Sequence, residues 1–319
     1  MKILLDRGAD VNAQGGNFGN ALQAAANSGT METVKILLDR GADVNAQGGV
    51  YGNALQAAAK SGTMETVKIL LDRGADVNAQ DGKCGSALQA AAGAGNGEIV
   101  QLLLDCGADV NAQGGEYGNA LQAAAGCGRE GIVRLLLDRG ADVTIQPRFA
   151  NQLSLLHVAI LSHSTAILMT LFAAGADIHL NSQDESGQTP LHFTVDNGDI
   201  WMAKYLLEKG ASPDTVDFTD STPLQSAMRN RNREMVLLLF AKSKVGLSSI
   251  SASDWRQCLR ANHCPNLEIA SGEVPRAINN EELKQELTDM CYPLPITVTR
   301  VPAKENHFLN KHSNAKRIL

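Results

Sequence analysis

Short apolar segments with helical spacing alternate along the chain with turns that contain glycine. In one segment Met31, Val34 and Leu37 lie on one face of a predicted helix, and charged residues lie on the opposite face. A shorter segment, residues 20–26, precedes it and consists mainly of alanine. The pattern predicts pairs of short helices, the first of which can pack closely against its neighbours.

Both predicted helices have recognisable ends. Asn20 is a suitable N-cap because its side-chain oxygen can accept a hydrogen bond from a free amide of the first turn. Gly41 follows the second helix, where glycine can adopt the left-handed conformation that closes a helix. Equivalent N-caps are Asn53, Ser86 and Asn119, and equivalent closing glycines are Gly8, Gly74, Gly107, Gly140, Gly175 and Gly210.

These helix pairs belong to a repeat. A Gly-Ala-Asp sequence or its variant recurs at intervals of 33 residues, which lengthen to 35 in the later copies. Residues 17–49 and 50–82 are identical at 29 of 33 positions, which indicates a recent duplication. A single unit of this size cannot bury enough apolar surface to fold alone, so the copies must stack on one another. The sequence therefore predicts an all-α solenoid.

Two first-helix segments carry a family resemblance. Residues 189–192 read Thr-Pro-Leu-His, residues 222–225 read Thr-Pro-Leu-Gln, and residues 154–159 are a looser copy of the same signature. Over about residues 1–244 the chain resembles the ankyrin-repeat proteins. This resemblance implies an all-α ankyrin-repeat solenoid of helix-turn-helix units with hairpin-like fingers between them.

The upstream copies depart from the family pattern. They read Asn/Ser-Ala-Leu-Gln where the signature has Thr-Pro-Leu-His, and they usually place Gly-Gly before an aromatic residue where a turn aspartate is usual. This variant resembles ankyrin arrays that are common in large fungal signalling proteins.

The copies also suggest a division of the chain. We predict a partial repeat over 1–16, with a second helix and the start of a finger, seven repeats over 17–244, and a non-repeat extension over 245–319. The extension is predicted to be partly helical and disordered at its end. Because the first copy lacks its first helix, we expect further repeats or another domain upstream of Met1, and a frayed terminus is the alternative.

Charge and cysteine usage limit the partners and the compartment. The chain has 28 basic and 34 acidic side chains, a formal net charge of −6, which disfavours nucleic acid as a partner. It has no apolar run of membrane-spanning length, so we expect no membrane partner. Six widely spaced cysteines suit a reducing compartment, so we expect a cytoplasmic protein and leave a nuclear location open.

The sequence contains no arrangement of residues that is typical of a catalytic site. His157 and His192 lie in the first-helix signature, where we expect structural hydrogen bonds. Residues 93–97 are glycine-rich but lack the preceding strand of a dinucleotide-binding loop. A zinc site competes with ordinary packing near Trp255, and its candidate ligands are Cys258, His263, Cys264 and Cys291. We predict a protein that is not an enzyme and has no cofactor or metal.

The near-identical copies indicate which positions tolerate change. They differ at Asn17/Val50, Phe18/Tyr51, Asn27/Lys60 and Gly48/Asp81. In the ankyrin arrangement three of these pairs belong to the finger and one to the exposed face of the first, inner helix, and together they form the concave surface. Lys83, Glu116 and Tyr117 continue the finger positions, and Gly93, Gly126, Leu161, Asp196 and Arg229 continue the inner-helix positions. Neutral drift of exposed residues is the alternative explanation.

Phe18, Tyr51 and Tyr117 recur at one finger position, which Cys84 interrupts. Two roles are open for these rings. They could anchor a partner, since an aromatic ring gives a large contact area at low entropic cost. Alternatively, each ring packs under its own finger, which we favour.

The predicted function is that of a noncatalytic scaffold that binds an unidentified protein through the concave face and the finger tips. A basic cluster of Arg229, Arg231 and Arg233 favours a protein with an acidic patch over nucleic acid, since interleaved aromatic residues are lacking. The alternative is a C-terminal sensor or recognition fragment of a larger signalling ATPase or enzyme, with the catalytic domain upstream.

Overall fold

A computed structural model describes residues 2–146 and 153–243 of the chain. These residues fall into two compact units, the first extending to His179 and the second beginning at Leu180. The predicted extension 245–319, with its candidate zinc ligands, lies outside the described residues, as does Met1. The division into 1–16, 17–244 and 245–319 stays a prediction.

The named secondary-structure elements of the described residues are helices, which turns and loops connect. In the first unit the helices are α1 Lys2–Asp6, α2 Ala21–Asn27, α3 Met31–Asp39, α4 Ala54–Ser61, α5 Met64–Asp72, α6 Ala87–Ala94, α7 Gly97–Asp105, α8 Ala120–Gly126, α9 Glu130–Asp138, α10 Leu155–Leu161 and α11 Thr165–Ala173, with a 3-10 helix Ala176–His179. In the second unit they are α12 Pro190–Asn197, α13 Ile200–Glu208, α14 Pro223–Arg229 and α15 Arg233–Lys242. From α2 onward the helices form pairs joined by turns of two or three residues, which confirms the predicted all-α helix-turn-helix architecture.

The predicted N-caps Asn20, Asn53, Ser86 and Asn119 begin the first helices, and those of Asn20 and Asn53 are reciprocal. The Asn20 side chain accepts a hydrogen bond from the Gln23 amide at 2.9 Å, and the Gln23 side chain accepts from the Asn20 amide at 2.8 Å. Asn53 and Gln56 repeat this arrangement at 2.9 Å in both directions. These capping boxes satisfy amides that would otherwise lack an acceptor at the start of a short helix.

The same glutamine also reaches the next repeat. The Gln56 Nε2 atom donates to the carbonyl oxygens of Ala79 at 3.3 Å, Asp81 at 3.2 Å and Gly85 at 2.9 Å. Gln23 and Gln89 make the equivalent three bonds in their repeats. Each first helix in this part of the first unit is therefore hydrogen-bonded through one amide side chain to the finger that follows it.

In α12 of the second unit a histidine takes the place of this glutamine. The His192 Nδ1 atom accepts from the Thr189 amide at 3.1 Å, so Nε2 carries the proton and donates to the Ser221 carbonyl at 3.1 Å. The predicted structural role of His192 is confirmed. The upstream copies can depart from Thr-Pro-Leu-His because Asn or Ser caps the helix in place of Thr, and Gln bridges to the next finger in place of His.

A second amide side chain joins the loops that follow the second helices. The Asn45 Oδ1 atom accepts from the Asp76 amide at 2.8 Å, and its Nδ2 atom donates to the Gly74 carbonyl at 3.0 Å. Asn12, Asn78 and Asn111 make the same pair of bonds in their repeats. Consecutive repeats in this part of the first unit are thus tied at both edges.

The core repeats with the helices. Val34 and Leu37 of α3 are fully buried, and Val67 and Leu70 occupy the same places in α5. Met31, predicted on the same face, is 38% exposed at the first position of α3. The first helices pack more extensively on one another than the second helices do, which the alanine-rich sequences permit.

The finger turns are closed in two ways. In the first unit the Gly48 amide donates to the Gly52 carbonyl at 2.7 Å. Gly52 has φ +92°, and a Cβ there would lie 2.7 Å from the Asp81 backbone and 2.1 Å from the Gln56 side-chain oxygen, so this turn requires glycine. In the second unit the Asp217 carboxylate instead accepts from the Thr219 and Ser221 amides. Burial alone would raise the pKa of Asp217, but these hydrogen bonds and that of the Thr219 hydroxyl lower it overall.

Replacing Gln56 with alanine is expected to lower the free energy of unfolding by about 1–3 kcal/mol, because three carbonyl groups of the next finger lose their donor. Urea unfolding followed by circular dichroism measures the change. Gln56→His is the matched control and should retain part of the stability, since His192 accepts the same capping bond and donates one bond to the finger that follows it. Equal losses in the two variants would show that these bonds do not stabilise the stack.

Acidification is expected to destabilise the second unit through His192. Burial lowers the pKa of His192 below 6.5, and the Ser221 carbonyl opposes this only in part. Below pH 6.5 the unfolded state binds the proton more readily, so the free energy of unfolding falls as the pH falls through this range. Urea midpoints at pH 7.5 and 5.5 should differ more for the wild type than for His192→Gln. An identical pH dependence in both proteins would contradict this assignment.

Candidate protein-binding surface

Four predicted finger residues form a single row in the first unit. The Val50 amide donates to the Asn17 carbonyl at 2.8 Å, and the Lys83 amide donates to the Val50 carbonyl at 3.0 Å. The Glu116 amide donates to the Lys83 carbonyl at 2.8 Å. We call Asn17, Val50, Lys83 and Glu116 the finger row. Residues 33 positions apart in sequence therefore become neighbours through the backbone.

Glycine residues allow this close approach of the fingers. A Cβ on Gly49 would lie 2.4 Å from the Phe18 carbonyl carbon, and one on Gly82 would lie 2.5 Å from the Gly52 nitrogen. Side chains here would push the fingers apart, which explains the second glycine of Gly-Gly in the upstream copies. A groove of about 610 Å³ runs along the row and is lined by Gly16, Asn17, Gly49, Val50, Gly82, Lys83, Gly115 and Glu116.

The charges of the finger row compensate one another. Lys83 Nζ lies 3.4 Å from Glu116 Oε1, and the lysine side chain is largely exposed. An ion pair this exposed contributes little to stability. The row offers a partner one apolar side chain, Val50, between a neutral amide and a balanced charge pair.

Aromatic rings lie beside the finger row and pack between repeats. The rings of Phe18 and Tyr51 stack with centroids 6.1 Å apart and an interplanar angle of 21°. Phe18 is 42% exposed and Tyr51 is half-buried. The rings thus contact each other and not only their own fingers, and the exposed part of Phe18 also leaves the anchoring role open.

Tyr117 is half-buried and lies beside residues of earlier repeats. Lys60 Nζ is 5.6 Å from the Tyr117 ring centroid, at a distance that allows a cation–π contact. Burial raises the pKa of the Tyr117 hydroxyl, and the Lys60 ammonium opposes the rise. Cys84, at the equivalent finger position, is buried, and burial likewise raises the pKa of its thiol. A raised pKa disfavours the nucleophilic thiolate, so Cys84 has a packing role here.

The inner-helix residues of the first unit follow one another in space as their helices stack. Asn27 and Lys60 are half-buried, while Gly93 and Gly126 are buried at the ends of α6 and α8. The missing side chains at two consecutive positions leave a depression in this face.

In the second unit the inner-helix positions Asp196 and Arg229 are both exposed. The Asp196 carboxylate accepts hydrogen bonds from the Gln188 and Asn230 side chains, each at 3.4 Å. Arg229 donates to the Ser226 hydroxyl of its own helix at 3.0 Å. Both charged groups are therefore oriented by neighbours while they face solvent.

The structure adds two surface residues that the sequence comparison did not single out. Phe218 is 73% exposed, and its amide donates to the Ser186 carbonyl at 3.0 Å, which is the finger-row pattern in the second unit. Arg129 lies beside the inner-helix face of the first unit. The two near-identical copies could not mark it, because both carry threonine there, Thr30 and Thr63. Aligning all copies would have found it, since the fourth copy alone replaces Thr or Asn with arginine.

Across residues 2–146 and 153–243, no group of three or more His, Cys, Asp or Glu side chains is placed to hold a metal ion. In the same part of the chain, each helix is too short or too polar to cross a membrane.

Stacked helix pairs with one buried frame and a variable exposed row define a helical-repeat protein. The chain belongs to the ankyrin-repeat family, since a family model described as "Ankyrin repeats (3 copies)" matches residues 1–81, 82–147 and 150–249. Ankyrin repeats generally mediate protein–protein interaction, and ankyrin-repeat domains are generally noncatalytic.

Relatives in other organisms share the repeats over short segments. The chain is 36% identical over 90 residues to the nuclear factor NF-kappa-B p105 subunit of Mus musculus, covering 28% of this chain and 9% of that protein. It is 40% identical over 89 residues to the ADP-ribosylation factor GTPase-activating protein AGD2 of Arabidopsis thaliana, covering 27% and 11%. It is 31% identical over 91 residues to the putative ankyrin repeat protein FPV219 of Fowlpox virus, covering 28% and 20%. The chain thus spans at most a fifth of these relatives, and the resemblance to fungal arrays stays a prediction.

The stacked rings give a testable coupling. Phe18→Ala and Tyr51→Ala are each expected to destabilise the first unit, but the double variant should lose about 0.5–1.5 kcal/mol less than the sum of the two, because each single change already removes the stack. Urea unfolding of the four proteins measures the coupling. Additive losses would show that the ring pair does not contribute to stability.

Proposed function

We propose that this protein is a noncatalytic recognition scaffold that binds a partner protein through its finger tips and inner-helix face. The observation that carries the proposal is the separation of constant and variable positions within nearly identical repeats. The amide bridges and the valine and leucine pairs recur, while Asn17/Val50 and Asn27/Lys60 change between copies. A fixed frame with variable residues on one side supports recognition by that side.

Exposure of the variable positions supports this surface. Asn17, Val50 and Lys83 are exposed in the first unit, and Asp196 and Arg229 are exposed in the second. The frame residues beside them, such as Gln56 and Gln89, are buried. A substitution at a variable position therefore alters the surface that a partner contacts without disturbing the packing of the repeats.

Binding strength is expected to come from a few apolar anchors. Phe18 and Val50 in the first unit and Phe218 in the second are large exposed apolar side chains on fingers. Aromatic residues at the centre of an interface contribute most to affinity, whereas rim charges mainly set specificity. We assign the anchoring role to these residues and the specificity role to Lys83, Glu116, Asp196 and Arg229.

We expect this recognition to take place in the cytoplasm. Cys84, Cys106 and Cys127 are free thiols, as befits a reducing compartment. Imaging of the tagged full chain in its native cell would test the location.

Pull-down with the full chain, followed by mass spectrometry, identifies the partner, and calorimetry then measures its affinity. A Val50→Asp, Lys83→Ala variant is expected to bind at least about 10-fold more weakly, a loss on the order of 1.4 kcal/mol, because an anchor is replaced by an unpaired charge. Phe218→Ala reports separately on the second unit.

The matched control exchanges the charges of an exposed pair on α5. Glu65 and Lys68 lie 3.4 Å apart, and the Glu65→Lys, Lys68→Glu variant keeps both the pair and the net charge. This variant should bind as the wild type does. If it weakens binding as much as the finger variant, the proposed surface is wrong.

A second candidate is a recognition segment of a larger signalling ATPase or enzyme. One observation favours it: two relatives carry enzyme-related names, the Arabidopsis AGD2 protein and an L-asparaginase of Dirofilaria immitis, and this chain matches only 11% and 13% of their lengths. Sequencing the full transcript tests this candidate. An open frame that continues upstream into a phosphate-binding loop would support it, and an in-frame stop codon would oppose it.

A further inference from the structure

A depression of about 440 Å³ lies on the inner-helix face of the first unit. Its lining residues are Lys60, Gly93, Ala94, Gly126, Cys127, Gly128, Arg129, Leu161 and Ser162. Lys60 and Leu161 are larger residues of the inner-helix series, and the glycines Gly93 and Gly126 come between them in that series. The depression exists because two consecutive repeats lack a side chain where their neighbours have one.

Two cationic side chains line this depression. Arg129 Nε donates to the Gly93 carbonyl at 3.4 Å, and Lys60 Nζ lies beside the Tyr117 ring. Over the described ranges no carboxylate lies within 4.0 Å of either cation. Lys83, by contrast, pairs with Glu116. The depression therefore holds two oriented positive charges whose counter-charge the described residues do not supply.

The backbone around the depression does not resemble a phosphate site. The Gly95 and Asn96 amides both donate to the Ala91 carbonyl at 3.0 Å, and the Gly97 amide donates to the Gly95 carbonyl at 3.1 Å. Gly93 and Gly126 lie at the C-terminal ends of α6 and α8, where carbonyl groups and not amides are free. Lys60 and Arg129 are thus the charged hydrogen-bond donors that line the depression. They suit a singly charged carboxylate better than a phosphate dianion that needs several backbone amides.

We propose that this depression, the basic pocket, binds the carboxylate of an Asp or Glu side chain from the partner protein. The inference rests on the proposed function and names the chemistry that this part of the surface recognises. A carboxylate entering over Gly93 meets Lys60 from one repeat and Arg129 from another, and charge-assisted hydrogen bonds to both fix its position. The apolar Leu161 borders the pocket and contacts the stem of the entering side chain.

NMR titration of the ¹⁵N-labelled full chain tests the pocket without any partner. The probe is N-acetyl-glutamate amide, and N-acetyl-glutamine amide is its neutral match. We expect saturable shifts at the Gly93 and Gly126 amides and at Arg129 Nε, with a dissociation constant of roughly 1–10 mM, as for a single contact of this size. The glutamine probe should bind at least about fivefold more weakly.

The chain itself provides the variants. Lys60→Asn and Arg129→Thr introduce the residues that stand at these places in the first repeat, Asn27 and Thr30, so each is compatible with the frame. Each is expected to weaken the glutamate probe at least fivefold and to leave the urea midpoint close to that of the wild type.

A third variant fills the pocket from below. A Cβ on Gly93 would make ordinary contacts of 3.7 Å with Ala123, 3.8 Å with Cys127 and 3.9 Å with Tyr117. Gly93→Ala is therefore expected to raise the urea midpoint, since alanine favours the helix, while it weakens the glutamate probe. Opposite changes in stability and binding would distinguish loss of the pocket from loss of the fold.

Three results would overturn the proposal: no saturable shift with the glutamate probe, equal binding of the two probes, or saturable binding of inorganic phosphate alone. None of them bears on the finger row, so partner capture by the finger residues could still succeed. Conversely, if the glutamate probe binds but partner capture fails, the pocket proposal holds and the proposed function is wrong.

Discussion

Satisfaction of backbone groups across each repeat boundary is the constraint on which this structure depends. Each short first helix begins with amides that need acceptors, and each finger presents carbonyl groups that need donors. One buried Gln side chain meets both needs, since Gln56 accepts from Asn53 within its repeat and donates to Gly85 in the next. A repeat removed from its neighbour would exchange these bonds for bonds to water. Hydrogen bonds across the boundaries therefore add to the cohesion that the apolar core provides.

Different repeats solve this problem with different residues. The upstream repeats of the first unit combine Gln with glycine-rich fingers, and Gly52 is confined to glycine by its φ of +92° and by the Asp81 backbone, which a Cβ there would approach to 2.7 Å. The second unit combines His192 with a turn aspartate, Asp217, which ties its finger locally. The choice has a physical consequence, because a buried imidazole responds to pH and an amide does not. Each of the early copies therefore keeps both the bridging Gln and the glycine beside it.

Once the frame is fixed, the surface can vary without cost to the stack. The finger row connects repeats through the backbone, so Asn17, Val50 and Lys83 can differ in size and charge while their hydrogen bonds stay the same. The basic pocket arises because Gly93 and Gly126 lack side chains, whereas Lys60 and Leu161 on either side of them have large ones. Addition and removal of side chains on one scaffold both create recognition features.

The sequence by itself determined the repeat, the helix pairs, the N-caps and the family, because these depend on periodicity and on local hydrogen bonding. It also marked Val50 and Lys60 as variable, since two copies could be compared directly. Only the tertiary structure decided that the Phe18 ring packs on Tyr51 of the next repeat, that Tyr117 lies beside Lys60, and that Arg129 approaches Gly93. Those contacts join residues 33 or more positions apart, and their geometry depends on how closely successive repeats stack. That spacing results from packing and interlocking hydrogen bonds, which no single repeat encodes.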